Sequence, residues 1–531
     1  MNEKQMKIES KSNYNMRNSI VSYYLLLMFT VFELFLSNQY VHARTDKFIL
    51  FIVLTSLLIV SVGIISLSYV LDKNAPIEHR VVEHKPIFSF SVTDYAFFLF
   101  FLFAVITTLV SEYKLDSLTG GAGRDNGLVL LALYTAMYFI VSRFYYYKEY
   151  VLAFFLVAGC IISGLAILHF FYIDPLGIMT GYSDNIVNDF GTTIGNKNTI
   201  ASYMCIFLPV CLMMFITYKS RNMMILSAVA LCFAYCGLLS AGSNSGYIGF
   251  FAMLFFMMLI CVKSARLFRK FMLALAIMFF SGKVLRVFSF FLNDKSKGFE
   301  AIGKKLVYGN EVFLIIIICA VISLLMYKAK DKKDLESIWP KNILTAIVLI
   351  LGSLVLIVCG YMFYKYTFID TTTDIGSLSQ YFRFDDRWGT HRGFMWINGV
   401  KDFLNFDAVH ILFGSGCDTF YHVFEPHFAE LSDRFNNSST DCIHSEYLNY
   451  LVTQGILGLS AYLGIIVTTI YRALKTSKEN ILSLVFVMPV ITYAAQSIVN
   501  IYQPITTPFF FIFIALCECL SRKSNPVNKI N

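Results

Sequence analysis

The chain predicts an all-α polytopic membrane protein with about 12–14 transmembrane helices and one large extracytoplasmic loop. Three observations predict it. Of 531 residues, 57% are hydrophobic, 16% aromatic and only 15% charged, against about 25% charge in an ordinary soluble protein. The apolar residues come in blocks long enough for the ~20 residues of helix that a bilayer crossing needs. Those blocks lack the period-two alternation of a transmembrane β-barrel, which excludes that class. Finally, one long polar segment, Lys365 to Ser445, interrupts them.

Read in order, about fourteen spans are predicted. They begin near Ile20, Phe48, Val92, Gly127, Val151, Thr199, Met223, Tyr247, Met272, Val312, Ile343, Glu446, Ile481 and Thr506. The first, Ile20 to Leu36, follows Lys4, Lys7, Lys11 and Arg17 without a small-residue cleavage site and reads as an uncleaved anchor. The ninth carries Lys283 and Arg286 and reads as either a crossing or a re-entrant or interfacial helix. Residues 1–364 are then helices with short loops, 365–445 the large loop with an amphipathic helix, and 446–531 the last helices. There is no clear internal repeat.

Lys and Arg in short loops set the orientation. The amino terminus, Lys73/Arg80/Lys85, Arg143/Lys148, Lys219/Arg221, Lys263/Arg266/Arg269/Lys270, Lys328/Lys330/Lys332/Lys333/Lys341, Arg472/Lys475/Lys478 and Arg522/Lys523/Lys529 fall on every second loop. This predicts both termini in the cytoplasm and the Lys365–Ser445 loop outside. Gly242–Gly246 and Ile501–Ile505, on the opposite side, have no Lys or Arg. One connection breaks the pattern. Arg286 to Glu311 carries Lys295, Lys297, Lys304 and Lys305, yet alternation places it outside. Because the basic residues sit mostly in short loops, the net charge of +8 is not a nucleic-acid signal, and no nucleic-acid partner is expected.

Most of the twelve Cys lie inside apolar runs, as Cys160, Cys205, Cys232 and Cys319 do, and read as small hydrophobes. Cys417 and Cys442 fall in the large loop and read equally as a disulfide or as two thiols. No Cys/His cluster points to zinc and no Walker or dinucleotide motif to a nucleotide. The expectation is no metal and no cofactor.

Chemistry-bearing residues gather in the outer connections. In DFGTTIGNKNTIASYM, Gly195, Asn196, Lys197 and Asn198 precede a helix that Asn198 or Thr199 can cap, and free amides at such a start favour an anion. Ser243-Asn244-Ser245-Gly246 reads as a tight hairpin. Arg124, in GGAGRDNG, meets an anionic headgroup or simply lies in the interface, and the second is the plainer reading. The stretch YFRFDDRWGTHRGFMWINGVKDF reads as a charged turn followed by an amphipathic helix. Phe394, Met395, Ile397, Val400 and Phe403 give that helix an apolar face for the membrane surface. Arg392 at its start offers a planar fork of donors to a diphosphate. It reads equally as a salt bridge to Asp385 or Asp386, work that Arg383 or Arg387 can also do. His444 stands just before the twelfth span. Its imidazole can take a proton from a sugar hydroxyl near neutral pH, with Glu446 or Asp441 to orient it. A lone His at a helix start is also commonly structural.

Taken together, these pieces resemble the O-antigen ligase and O-antigen polymerase superfamily. GNKNTIASY resembles its Gly-Asn-x-Asn helix start, and SNSG stands in the place of its Ser-Arg-Gly turn. RGFMW followed by ILFGSGCDTF resembles its Arg-x-x-x-Trp helix and Gly-x-Gly-x-x-x-Phe segment. HSEYLNYLVTQGILGLSAYL resembles its late His-bearing helix, and QSIVNIYQPITTPFFFIFIAL its last two helices. The resemblance covers residues 93–520. It implies a C-type glycosyltransferase-like fold in the bacterial plasma membrane. It also implies transfer of a glycan from undecaprenyl diphosphate to a saccharide acceptor at the outer face, without metal. It assigns the catalytic His to His444 and the loop Arg to Arg392. The second family Arg would fall at Asn244, a departure that Arg124 or Lys197 would have to make good. The substrate-binding candidates are Gly195, Asn196, Lys197, Asn198, Arg124, Asn244, Arg387 and Glu446. Implied partners are the undecaprenyl-diphosphate-linked oligosaccharide, a saccharide acceptor, the lipid bilayer, a flippase and a chain-length regulator. Polymerisation of surface polysaccharide leads over ligation. The alternatives are a lipid-linked oligosaccharide flippase, for which related halves and midplane charges are expected, and a saccharide sensor without turnover.

Overall fold

The computed structural model describes residues 16–37, 39, 42–71, 89–292, 295–329, 335–435 and 440–523. The orientation signals at Lys4, Lys7, Lys11, Lys73, Arg80, Lys85, Lys330, Lys332, Lys333 and Lys529 lie outside the described residues.

Long helices stand at all fourteen predicted places. They are α1 (Met16–Phe32), α2 (Ala43–Leu71), α3 (Val92–Val110), α4 (Leu128–Phe144) and α5 (Glu149–Phe170). Then come α6 (Lys197–Thr217), α7 (Arg221–Ser240), α8 (Asn244–Cys261), α9 (Ala265–Phe291) and α10 (Glu311–Lys328). The chain ends with α11 (Lys341–Tyr364), α12 (Glu446–Thr476), α13 (Leu482–Gln496) and α14 (Thr507–Lys523). Eleven are long and apolar enough to cross a membrane, while α1 and α4 are shorter apolar helices. The sheet among the described residues is one antiparallel pair, Phe190–Gly191 with Gly195–Asn196.

Local chemistry fixes several helix starts. Ser91 and Asp94 form a reciprocal capping box at α3. Ser264 accepts the amide of Leu267 at α9, and Ser445 that of Leu448 at α12.

Burial sorts the helices into interior and rim. The apolar window of α6 is 100% buried and that of α13 78%, against 22% for α2, 17% for α10 and 0% for α11. The rim is nonetheless apolar: α11 exposes Ile343, Leu351, Leu356 and Ile357. A helix that is greasy all round and uncovered by protein is solvated by hydrocarbon. This is a multi-pass α-helical membrane protein.

The helix ends form two faces. On one, Arg472 clamps Glu518 at 2.8 Å, Arg143 meets Asp94 at 3.4 Å, and Arg522 joins both Asp94 and Glu518. The opposite face carries the Lys365–Ser445 segment and is called the loop face below.

Two open readings are settled and one expectation is corrected. The ninth helix is 27 continuous residues, long and apolar enough for the crossing reading. Its buried Lys283 donates to the carbonyls of Val307 (2.8 Å) and Gly309 (2.6 Å), so the ammonium caps the end of the short helix Ala301–Tyr308. The apolar face of the Trp388–Leu404 helix does not lie on the membrane. Phe394, Met395 and Phe403 pack against Phe420, Phe424, Leu431, Phe435 and Ile443, giving the large loop its own core. Finally, Cys417 and Cys442 are free thiols.

The twelfth helix is broken. Gly455 is left-handed (φ 68°, ψ −173°), and the tyrosine hydroxyl of Tyr462 donates to Glu446 at 2.6 Å. In a straight helix residues 16 positions apart would be separated by about 24 Å. The segment 446–454 therefore folds back against the crossing segment that follows Gly455. The fold-back crosses the Gly414-Ser415-Gly416 turn at backbone contact. A Cβ on Gly414 would come within 2.3 Å of the Gln454 amide, and one on Gly455 within 2.3 Å of the Leu412 carbonyl. The amides of Ser415 and Gly416 donate to Val452 (3.1 Å) and Thr453 (3.0 Å), which satisfies carbonyls at the end of the half-helix.

Candidate functional site

The fold-back sets His444 inside the loop face. Tyr447 donates to the Ala494 carbonyl (2.6 Å) and Asn449 to the Tyr502 hydroxyl (2.6 Å), pinning the half-helix to α13 and the connection beyond it. His444 itself is half-buried, and its Nδ1 is buried with no partner among the described residues. Its backbone is left-handed (φ 56°), a conformation uncommon outside glycine and found where surrounding structure enforces it.

Arg392 is where the loop helix resumes a right-handed backbone, because Gly389, Thr390 and His391 just before it are all left-handed. Its guanidinium donates to the Val499 carbonyl at 2.6 Å, and burial holds its pKa below the usual guanidinium range. The predicted alternative pairing is not made: Asp386 pairs with Arg434 at 2.5 Å instead.

Arg124 is not a lone interfacial cation. Its Nε and Nη2 both reach Asp441 Oδ1, at 2.9 and 2.8 Å. The turn that bears it is held by Asp418, whose carboxylate accepts the amides of Arg124 (2.5 Å) and Asn126 (2.9 Å). Gly123 is obligatory here, since a Cβ would sit 2.4 Å from that carboxylate. Arg44 adds a second cation, 3.1 Å from Asp125 and 3.7 Å from Asp441. Asp125, Asp418 and His444 all have positive φ, so backbone strain concentrates in this one network.

The charges act on one another. Burial pushes the His444 pKa down to about 3, and the charges of Arg392 and Arg124 push the same way, while Asp441 opposes them. At neutral pH His444 is therefore the free base. Burial alone would raise Asp441, but Arg124 holds it below the usual carboxylate range. Burial drives Asp418 up to about 7 despite its two amide donors. Asp441 touches His444 through charge and not through a hydrogen bond, and Glu446 is engaged by Tyr462. Neither orients the imidazole as expected.

The remaining candidates lie further along the face. Asn196, and not Asn198 or Thr199, caps α6, its side chain accepting the Asn198 amide at 2.9 Å. Gly195 before it is left-handed (φ 98°). Lys197 pairs with Asp189 at 2.8 Å and so does not replace the missing arginine. Asn198 accepts from Ser243 (2.6 Å), and its carbonyl from Asn500 (3.2 Å). That contact brings the turn next to Val499, the residue held by Arg392. Asn244 joins Glu300 (3.1 Å) to Tyr381 (3.0 Å). Arg387 is exposed, and its charge adds to burial in lowering the pKa of His391.

Sequence reading missed Asp418 and Arg44, and undervalued Arg124 and Asp441. The Gly-Arg-Asp-Asn-Gly turn was the available signal for Arg124. Nothing local points to Asp418, almost three hundred positions away. Among the described residues no group of His, Cys, Asp and Glu is arranged to hold a metal. No protein-family model matches the chain, and no curated protein matches it.

Proposed function

We propose that the protein is a membrane glycosyltransferase that moves a glycan from a polyprenyl diphosphate to a saccharide acceptor on the outer face of the bacterial plasma membrane. One observation carries the reading: a free-base imidazole with an unpartnered ring nitrogen lies under the influence of two guanidinium groups, Arg392 and Arg124. In the proposed step the acceptor hydroxyl oxygen attacks the anomeric carbon, and the bond from that carbon to the diphosphate oxygen breaks. The hydroxyl proton passes to His444 and the electron pair leaves with the diphosphate, whose charge Arg392 and Arg124 offset. In this reading Arg124 supplies the charge that Asn244 lacks.

The depressed basicity of His444 fits this sequence of events. Burial lowers its proton affinity most, and the two cations that add to the lowering are those that would hold the diphosphate. A bound dianion offsets the part of the lowering that comes from their charge, so donor binding raises the basicity of the imidazole when it is needed. The polar fold-back pinned beside α13 supports a saccharide acceptor. Polymerisation is preferred to ligation.

The test is reconstitution of the purified chain in vesicles with undecaprenyl-diphosphate-linked oligosaccharide. A ladder of longer lipid-linked products supports polymerisation. A single product that requires a foreign acceptor supports ligation. An unchanged donor with transport across the bilayer would replace both by a flippase.

A further inference from the structure

The connection Arg286–Glu311, which breaks the orientation pattern, lies on the loop face: Asn244 bonds its Glu300 on one side and Tyr381 of the large loop on the other. Lys and Arg on this face oppose the distribution that orients the chain, so each calls for a local use. Lys283 and Arg286 cap the short helix Ala301–Tyr308, and Lys297 donates to the Phe190 carbonyl at 2.7 Å. The Lys304 ammonium has no hydrogen bond or ion pair among the described residues.

Lys304 lines an open cavity of about 390 Å³ with Ser289, Ser296, Gly298, Phe299 and Tyr308. The hydroxyls of Ser289 and Tyr308 meet at 2.8 Å on its wall. The short helix is fixed from below, because Gly303 lies against the Tyr247 hydroxyl, which would be 2.3 Å from any Cβ there. At the end of α9, beside Ser289, Phe288, Phe290 and Phe291 are 56%, 76% and 74% exposed, as aromatic anchors at a membrane interface are. An unpaired ammonium, hydroxyl donors and a lipid-facing apolar flank together match a phosphate group carried on a lipid tail.

We propose that the Lys304 cavity binds the phosphate of a net-anionic lipid headgroup in the adjoining leaflet, at the rim of the loop face and apart from His444. Bulk anionic phospholipid and a polyprenyl phosphate carry the same recognised group. The site does not depend on glycan transfer.

The experiment measures thermal unfolding and lipid affinity of the full chain in neutral detergent. The probes are phosphatidylglycerol, phosphatidylcholine, undecaprenyl phosphate and inorganic phosphate. Stabilisation by phosphatidylglycerol and undecaprenyl phosphate but not phosphatidylcholine is expected. Stabilisation by undecaprenyl phosphate alone assigns the site to the polyprenyl carrier. Lys304→Gln should weaken binding at least fivefold, and Lys304→Arg should restore it. Ser296→Asp, which places a negative charge in the cavity, provides a second variant with the same expected loss. Equal stabilisation by phosphatidylcholine, stabilisation by inorganic phosphate in place of lipid, or unchanged affinity in Lys304→Gln and Ser296→Asp would overturn the proposal.

Discussion

At the scale of single residues, the network around His444 makes its own tests. Its pKa in the folded chain, about 3, lies below the unfolded value near 6.5. The folded state therefore binds fewer protons than the unfolded one between those values. Stability should fall as pH drops below about 6.5, with a slope approaching 1.4 kcal/mol per pH unit, and level off near the folded pKa. His444→Gln should flatten that part of the profile, which denaturant unfolding at several pH values will show. Arg392→Gln and Arg124→Gln should each lower transfer by about 10²–10³-fold while raising the His444 pKa, measured by NMR titration. A pKa unmoved by both substitutions would remove the guanidinium groups from the account. Arg124 was legible as a cation on the loop face but not as part of this network. Its partner Asp441 is 317 positions away, and no local pattern records such a pairing.

At the scale of elements, the decisive feature is the fold-back at Gly455. The sequence predicted a helix from Glu446 because LVTQGILGLSAYL is apolar enough to be one, and isolated Gly residues such as its Gly455 and Gly458 are tolerated inside such a run. Only the crossing with Gly414 demands the break, and that contact joins chain segments some forty positions apart. The same blindness explains the loop helix. Its apolar stripe was legible, but the loop's own Phe residues were not readable as the surface that would cover it. Gly455→Ala and Gly414→Ala each place a Cβ in backbone at a left-handed position, where strain alone costs of the order of 1–3 kcal/mol. Both variants should lose the half-helix while keeping the bundle. Hydrogen exchange should then rise across residues 444–454 and stay low in α6. Exchange at wild-type rates through that segment would contradict the described crossing.

At the scale of the whole molecule, fourteen helix positions were readable because a bilayer crossing imposes a length and a composition that sequence displays directly. Which helix lies inside was less readable: α6 and α11 are both apolar throughout, yet one is fully covered and the other bare. The face opposite the loop is fastened by Asp94, shared by Arg143 and Arg522, with Glu518 joining Arg472. Asp94→Asn leaves two arginines without that carboxylate. It should destabilise the bundle by about 3–5 kcal/mol, seen as a lower melting temperature, without altering the loop face. The central claim is that His444 takes the acceptor proton in transfer from a polyprenyl diphosphate. The most direct measurement compares wild type and His444→Gln, reconstituted at equal amounts with undecaprenyl-diphosphate-linked oligosaccharide and no nucleotide. The account predicts transfer by the wild type, and a folded, donor-binding variant at least 10²-fold slower. Product formation by His444→Gln at the wild-type rate would contradict it.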